Sequence, residues 1–390
     1  MRIAIGGAGI AGLAAAAFLA RAGHRVCVYD KAPQAAPVGS GLIVQPTGQA
    51  VLHALAVGHD LIARGARLDR LDGRTEDGRR ILDVRYDALG SDIFGVAIHR
   101  AALFGILYKA AANAGAEIQQ RRAVIGADLE NRRFVFADGE KSEPCDLLID
   151  ALGLRTPFVE RNNCGLSYGA LWGNAPFPVS QGFSANALSQ RYRDANVSAG
   201  LMPIGTMMEG EQTQAAFFWT LGAKHYDAWL MTPLHRWKDK VLKLWPEAAP
   251  ALDHFIDHEQ FVFATYAHHT AAAPVEGRLV HIGDSWHAAS PQLGQGANMA
   301  LLDAWALSKA LERHEDVDAA LAAFVETRRN HVKLYQAISW LFTPVYQSDS
   351  KILPALRDKL AEPLSRFWFM PKLLAAMVAG TLGRPLKELQ

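Results

Sequence analysis

The chain has 390 residues, half of them hydrophobic and a fifth charged, with a formal net charge of +1. That length accommodates two or three domain-sized units, and the near-neutral balance argues against a nucleic-acid surface or an acidic partner. The three cysteines, Cys27, Cys145 and Cys164, form no Cys-x-x-Cys pair, which argues against a disulfide framework or a zinc site and for a reducing, cytoplasmic compartment.

In chain order, Arg2–Ile5 reads as a short apolar strand, and no leader is expected ahead of it. Ile10–Ala22 is an Ala/Leu-rich helix stopped by Gly23, and "HRVCVYD" is a second strand ending on an acid. Together they form a βαβ opening with parallel strands. A Gly/Pro loop, "GSGLIVQPTG", precedes a helix from about Thr47. "RLDRLDGRTEDGRRILDVRY" alternates around Asp-Gly punctuation, as antiparallel hairpins do. "HRAALFGILYKAAANAG" is helical, and "FVFADGEKSEPCDLLIDALG" reads as a hairpin and then a strand. From about Leu166 the segments are short, aromatic and β-rich, which predicts an antiparallel sheet. "RLVHIGDSWH" then restores the strand–turn–helix texture, and after Asp303 the pattern is helical.

The expected fold is therefore α/β. A Rossmann-like domain (1–72, 96–165 and 270–320) is interrupted by a β-sheet domain (73–95 and 166–269), and a helical region (321–390) follows. No apolar run reaches the ~20 residues of a membrane span. The nearest, "FWFMPKLLAAMVAGTLG", is broken by Pro371 and Lys372 and reads as a core or interface helix.

Gly7-Ala8-Gly9-Ile10-Ala11-Gly12 fits G-x-G-x-x-G, between an apolar strand and a helix. Gly7 permits a tight turn, Gly9 a close approach of backbone to a pyrophosphate, and Gly12 close helix–strand packing. The helix N-terminus supplies N–H groups and positive dipole. Asp30, at the end of the second strand and followed by Lys31, is placed to accept a ribose hydroxyl. This stretch alone does not separate NAD from FAD.

Far along the chain, Gly283-Asp284 ends another strand and "PQLGQGAN" opens another helix. A carboxylate at Asp284 suits a hydroxylated chain such as the ribityl of FAD. The backbone N–H groups around Gly294, Gln295, Gly296, Ala297 and Asn298 suit an electron-rich ring edge. Two cradles imply one long ligand held at both ends.

Taken together, these residues resemble the group A flavoprotein monooxygenases of the para-hydroxybenzoate hydroxylase fold. That family carries G-x-G-x-x-G, then Gly-Asp followed by P-x-x-G-Q-G-x-N, here Gly7, Gly9, Gly12, Gly283, Asp284, Pro291, Gly294, Gln295, Gly296 and Asn298. His287 also matches, "AIHRAALFGIL" resembles a segment whose arginine, here Arg100, contacts the flavin side, and "GSGLIVQPTG" resembles the loop beside the isoalloxazine. "VYQSDSKILPALRD" resembles the tail of many members.

The resemblance implies FAD, a β-sheet substrate domain, and hydroxylation of an aromatic or conjugated small molecule by O₂ through a flavin C4a-hydroperoxide, with electrons from NADPH or NADH. Such chemistry resides in the cofactor, and the protein orients the substrate and excludes water. Candidate catalytic residues are His287, as an acid–base group, and Pro291. Candidate pocket residues are Trp172, Met202, Phe218, Trp219 and Trp286.

One motif departs from the family. Its Asp-Gly pair near "DLLIDALG", tied to FAD pyrophosphate and NAD(P)H use, reads Leu152-Gly153, with Thr156 and Glu160 in place of a serine and an arginine. That departure keeps a second reading open: an FAD-dependent oxidase, dehydrogenase or halogenase-like enzyme on the same fold. A third reading, a non-enzymatic nucleotide-binding protein, leaves the second cradle without a use.

Two other patterns carry no chemistry. "GLSYG" (Gly165–Gly169) lacks the helix that a nucleophile elbow needs, and His268-His269 point to opposite faces of a strand.

Overall fold

In a computed structural model, the residues described are 1–33, 40–160, 165–178, 182–208, 210–365, 367–387 and 389. Cys164 lies outside them.

The opening βαβ unit builds a six-stranded sheet. Strand Arg2–Gly6 pairs in parallel with Arg25–Tyr29 on one side and Leu147–Asp150 on the other. Glu117–Gln119 and Leu279–His281 extend the sheet in parallel, and Val275–Glu276 closes one edge antiparallel. The central strands are buried on both faces, as a parallel sheet requires, and so read as continuous apolar runs rather than alternating ones. Helix Ile10–Arg21 buries five alanines and two leucines. These small side chains let it lie close against helix Gly296–Arg313, where Phe18 stacks on Trp305 at 6.4 Å.

A seven-stranded sheet is assembled from distant segments. Its order runs Phe261–Ala267, Gly165–Pro176, Gln214–Gly222, Val197–Pro203, Ala187–Arg193, Arg70–Thr75, Arg80–Arg85. All neighbours are antiparallel except Ala187–Arg193 with Arg70–Thr75, which run parallel. The predicted hairpin at 70–85 is present, but its first strand begins at Arg70, inside the segment expected to belong to the Rossmann-like domain. The register that pairs Arg70 with Arg85 puts Arg70 beside Asp83, with two 2.7 Å hydrogen bonds. Strand Arg133–Phe136 also differs from expectation. It pairs upstream with Val124–Asp128, and the turn that follows keeps only the bridge Val135–Lys141.

The insert is not purely β. Helix Leu234–Leu244 covers one face of the seven-stranded sheet and buries Trp237, Val241 and Leu244. Its apolar residues recur at helical spacing in "LHRWKDKVLKL", a signal the β-rich surroundings obscured.

A three-stranded antiparallel sheet (Gly41–Val44, Gly95–His99, Ala66–Leu68) bridges the two larger ones. Gly41 is where it touches the seven-stranded sheet: a Cβ there would lie 2.3 Å from Ile204 and 2.8 Å from the Met202 methyl. Helices Val317–Tyr346, Ile352–Ser365 and Met370–Ala379 finish the chain. Among the described residues, no helix is long and apolar enough to cross a membrane.

Candidate active site

The two glycine-rich turns meet. A Cβ at Gly283 would lie 3.1 Å from the Ala11 methyl and 3.3 Å from that of Ala300. The fold thus brings both turns to the C-terminal ends of parallel strands of one sheet, separated only by Leu147–Asp150, where ligands of open α/β sheets bind.

Around the first turn the glycines are not equivalent. Gly7 has φ +100°, and a Cβ there would sit 2.5 Å from the Ala151 carbonyl oxygen. At Gly12 a Cβ would sit 1.9 Å from the Gly7 oxygen. Gly9 has nothing within 4 Å of its would-be Cβ, and no side chain caps the helix that starts at Ile10. Open space in front of uncapped N–H groups is what a pyrophosphate needs. Asp30 accepts hydrogen bonds from the Ala8 and Ala32 N–H groups at 2.8 Å each, which ties the turn to the strand end. Each of its carboxylate oxygens keeps a lone pair for a ribose hydroxyl. Ala11 is buried beneath the turn, and Lys31 is exposed beside it.

The second turn borders a cavity of about 1440 Å³. Asp284, Pro291, Gly294, Gln295, Gly296 and Ala297 line it, and so do Arg100 and Gly41–Ile43. Asp284 reaches toward Gly296, whose Cβ would be 3.9 Å from its carboxylate. Gly294 is left-handed (φ +60°), which turns the chain into helix Gly296–Arg313. Asn298 does not line the cavity. It is fully buried, accepts the Gln45 N–H at 2.8 Å and donates to the Ile43 and Gly294 carbonyls, so it fastens the Gly41–Val44 strand to the second turn. With a groove for phosphates at one end and a polar, backbone-rich pocket at the other, the residues present fit FAD.

Three candidate pocket residues lie on the cavity wall: Trp172, Met202 and Phe218. Trp172 is fixed by a 2.9 Å hydrogen bond from its indole N–H to the Tyr266 hydroxyl and packs on Phe218 at 4.9 Å. Trp219 does not join them. Side chains alternate along a strand, so Trp219 faces the opposite side and meets Trp237 at 6.3 Å. Trp286 is likewise turned away, packed on Phe324 at 5.6 Å.

His287 does not line the main cavity either. Its Nε2 lies 2.6 Å from Asp303 Oδ2 beneath the turn, and Asp303 also takes the Gly283 N–H at 2.8 Å and Arg328 Nε at 2.8 Å. Burial alone would raise the Asp303 carboxyl, but the charges of His287 and Arg328 outweigh it and hold the group at about 2. Arg328 continues to His331 Nδ1 at 3.0 Å, and His331 Nε2 reaches the Gly380 carbonyl at 3.2 Å. Burial, reinforced by Arg328, pushes His331 down to about 3, so it stays neutral and donates from Nε2. Asp303, Arg328 and His331 were not singled out in the sequence. An Asp seven residues into a helix and an Arg on the next helix carry no local signal of meeting.

At the departed motif, Leu152 lies beside the first turn, with its side chain 3.4 Å from a Cβ built at Gly6. A carboxylate is present two residues earlier. Asp150 is wholly buried, accepts the Thr156 hydroxyl at 2.6 Å and the Leu152 N–H at 2.9 Å, and pairs with His281 Nδ1 at 2.7 Å. It braces the strand ends from inside. Cys27 and Cys145 are both pushed up by burial, Cys27 to about 11, so neither thiol is a nucleophile at neutral pH. No cluster of three or more metal-ligating side chains occurs among the described residues.

The comparisons with known proteins agree with this geometry. A family model described as FAD binding domain matches residues 1–337. The chain is 26% identical over 334 residues to 3-amino-4-hydroxybenzoate 2-monooxygenase of Streptomyces cremeus, covering 80% of this chain and 79% of that one. It is 24% identical over 377 residues to 2-heptyl-3-hydroxy-4(1H)-quinolone synthase of Pseudomonas aeruginosa, covering 92% and 93%. The fold is shared with Klebsiella pneumoniae HpxO, solved with FAD and uric acid, at a TM-score of 0.80 with 20% identity over 99% of this chain and 98% of that one. The chain belongs to the FAD binding domain family, among the FAD-dependent aromatic monooxygenases of the para-hydroxybenzoate hydroxylase fold.

Proposed function

We propose that the protein hydroxylates an aromatic or conjugated small molecule with O₂, using FAD reduced by NADPH or NADH. One observation carries this reading: a single cavity runs from the second glycine-rich turn to the Trp172, Met202 and Phe218 wall. A ring held on that wall lies in the same cavity as the turn proposed to hold the flavin. The relatives named for an aminohydroxybenzoate and a quinolone support an aromatic substrate.

Bound FAD would supply reducing power and the activation of O₂, and the chain supplies the rest. The N–H groups after Gly9 would hold the pyrophosphate, and Asp30 the ribose of the adenosine half. Asp284 would hold the ribityl hydroxyls, and the N–H groups at Gly296–Asn298 would stabilise negative charge on the pyrimidine edge. Trp172 and Phe218 would orient the substrate ring and exclude water. Pro291, at the cavity edge, shapes the approach to the ring. His287 is a positioning residue in this scheme, because its imidazole is engaged by Asp303.

Anaerobic addition of NADPH, then NADH, tests the reading. Bleaching of the bound flavin band by either nucleotide, followed on aeration by an oxygenated aromatic product, is the expected result. A flavin that neither nucleotide reduces would shift the assignment to the oxidase or halogenase-like reading, which Leu152 beside the first turn favours. Gly9→Leu fills the open space at the first turn. It is expected to leave the purified protein colourless and folded, and a fully flavinated variant would refute the assignment of that turn.

A further inference from the structure

We propose that the substrate is a ring carrying an aliphatic tail, with no carboxylate on the tail, which lies between the seven-stranded sheet and the terminal helix. This rests on the monooxygenase reading and narrows it to a substrate class.

The cavity, at about 1440 Å³, has room for a substrate beside the flavin ring assigned to the second turn. Part of the cavity is an apolar arm that starts beside the second turn, where the Gln295 side-chain N–H donates to the Val378 carbonyl. Leu71, Val84 and Leu188 form its floor on the sheet, and Leu374, Met377 and Val378 of helix Met370–Ala379 form its roof. Most of the charged groups on its walls, and two of the hydroxyls, are paired within the protein. Ser198 and Thr220 bond to each other at 2.5 Å. Arg79 pairs with Asp77, Arg80 with Asp72, Asp83 with Arg70, and Arg357 with Asp358. Lys359 stands in solvent at the rim.

A carboxylate drawn into this arm would lose its hydration and find those cations occupied. A methylene chain would displace water from apolar walls on both sides. The apolar character continues to the mouth, where Leu341, Leu356 and Leu360 line the cavity yet remain 60%, 51% and 41% exposed.

The test uses the FAD-loaded protein and two homologous series, 4-alkylphenols and 2-alkyl-4-quinolones from methyl to nonyl, with 4-hydroxybenzoate as the tail-less carboxylate. Kd is read from perturbation of the flavin absorbance. Kd is expected to fall about threefold to fourfold per added methylene until the arm is full, the fold-change that ~0.8 kcal/mol per buried CH₂ corresponds to. Leu188→Trp should shorten the chain length at which the gain stops, and Met377→Phe does the same from the roof if the first variant fails to fold. Affinity flat with chain length in both series, or 4-hydroxybenzoate binding more tightly than every tailed compound, would overturn the proposal.

Binding is read without turnover, so the two readings fail separately. Chain-length-dependent binding to a flavin that nicotinamide cannot reduce would sink the monooxygenase reading alone. Hydroxylation of 4-hydroxybenzoate with no tail dependence would sink the tail alone.

Discussion

The two faces of the seven-stranded sheet are built from the same kinds of residue and end in opposite states. On the outer face Phe217, Trp219 and Phe261 meet Trp237 and Trp229 in a closed aromatic cluster. On the inner face Trp172, Met202 and Phe218 border open space. Phe217, Phe218 and Trp219 are consecutive, so composition does not decide which face becomes core. What covers the face decides it. Helix Leu234–Leu244 lies directly on the outer one, whereas the terminal helix roofs the inner one at a distance that leaves a cavity.

That contrast is sharpest in stability. Trp237→Ala should cost about 3–5 kcal/mol in urea unfolding, as large-to-small changes in a packed core do. Phe218→Ala should cost only about 1 kcal/mol while weakening aromatic-ligand binding by roughly tenfold, about the 1.4 kcal/mol per decade of an affinity. Equal stability losses would break the comparison.

The second turn carries the same division between a lining side and a supporting side. Arg328→Met would leave Asp303 buried without its full pairing and should cost about 3–5 kcal/mol, read by the same unfolding curve. His287→Ala removes one charge-assisted bond to Asp303 and should cost less, about 1.5–3 kcal/mol. Turnover by that variant should keep the wild-type shape of its pH profile. A lost limb of the profile would make His287 an acid–base group after all.

A pH dependence is also expected on the supporting side. Folding holds His331 at about 3, well below the ~6.5 of an unfolded histidine. The unfolded chain therefore binds the proton first, and stability falls as pH drops below about 6.5. Asp303, held at about 2, adds its own loss only below about 3.9. His331→Gln should flatten the slope of melting temperature between pH 6.5 and 4.5. An unchanged slope would remove His331 from the account.

The first turn was legible because its requirements are local. A strand, three glycines and an acid at the next strand end lie within thirty residues. The second turn was legible for the same reason, as a Gly-Asp strand end and a helix start read together. Less legible was the helix at Leu234–Leu244, whose period was present but overshadowed by neighbouring strands. The facing of Trp219 and Trp286 was not legible at all. A strand's alternation separates two faces without saying which one meets a ligand, so choosing Phe218 together with Trp219 had to be wrong for one of them.

What the sequence by itself determined is therefore the pair of cradles, the interrupted α/β order and the family, because each is encoded in short-range backbone demands for glycine, for a helix start or for a strand-end carboxylate. The tertiary structure decided that Gly283 would abut Ala11, that His287 would be committed to Asp303 and Arg328, and that Met377 would roof an arm floored by Leu71. Those outcomes depend on contacts between segments far apart in the chain, and no spacing within one segment specifies the partner that closes over it.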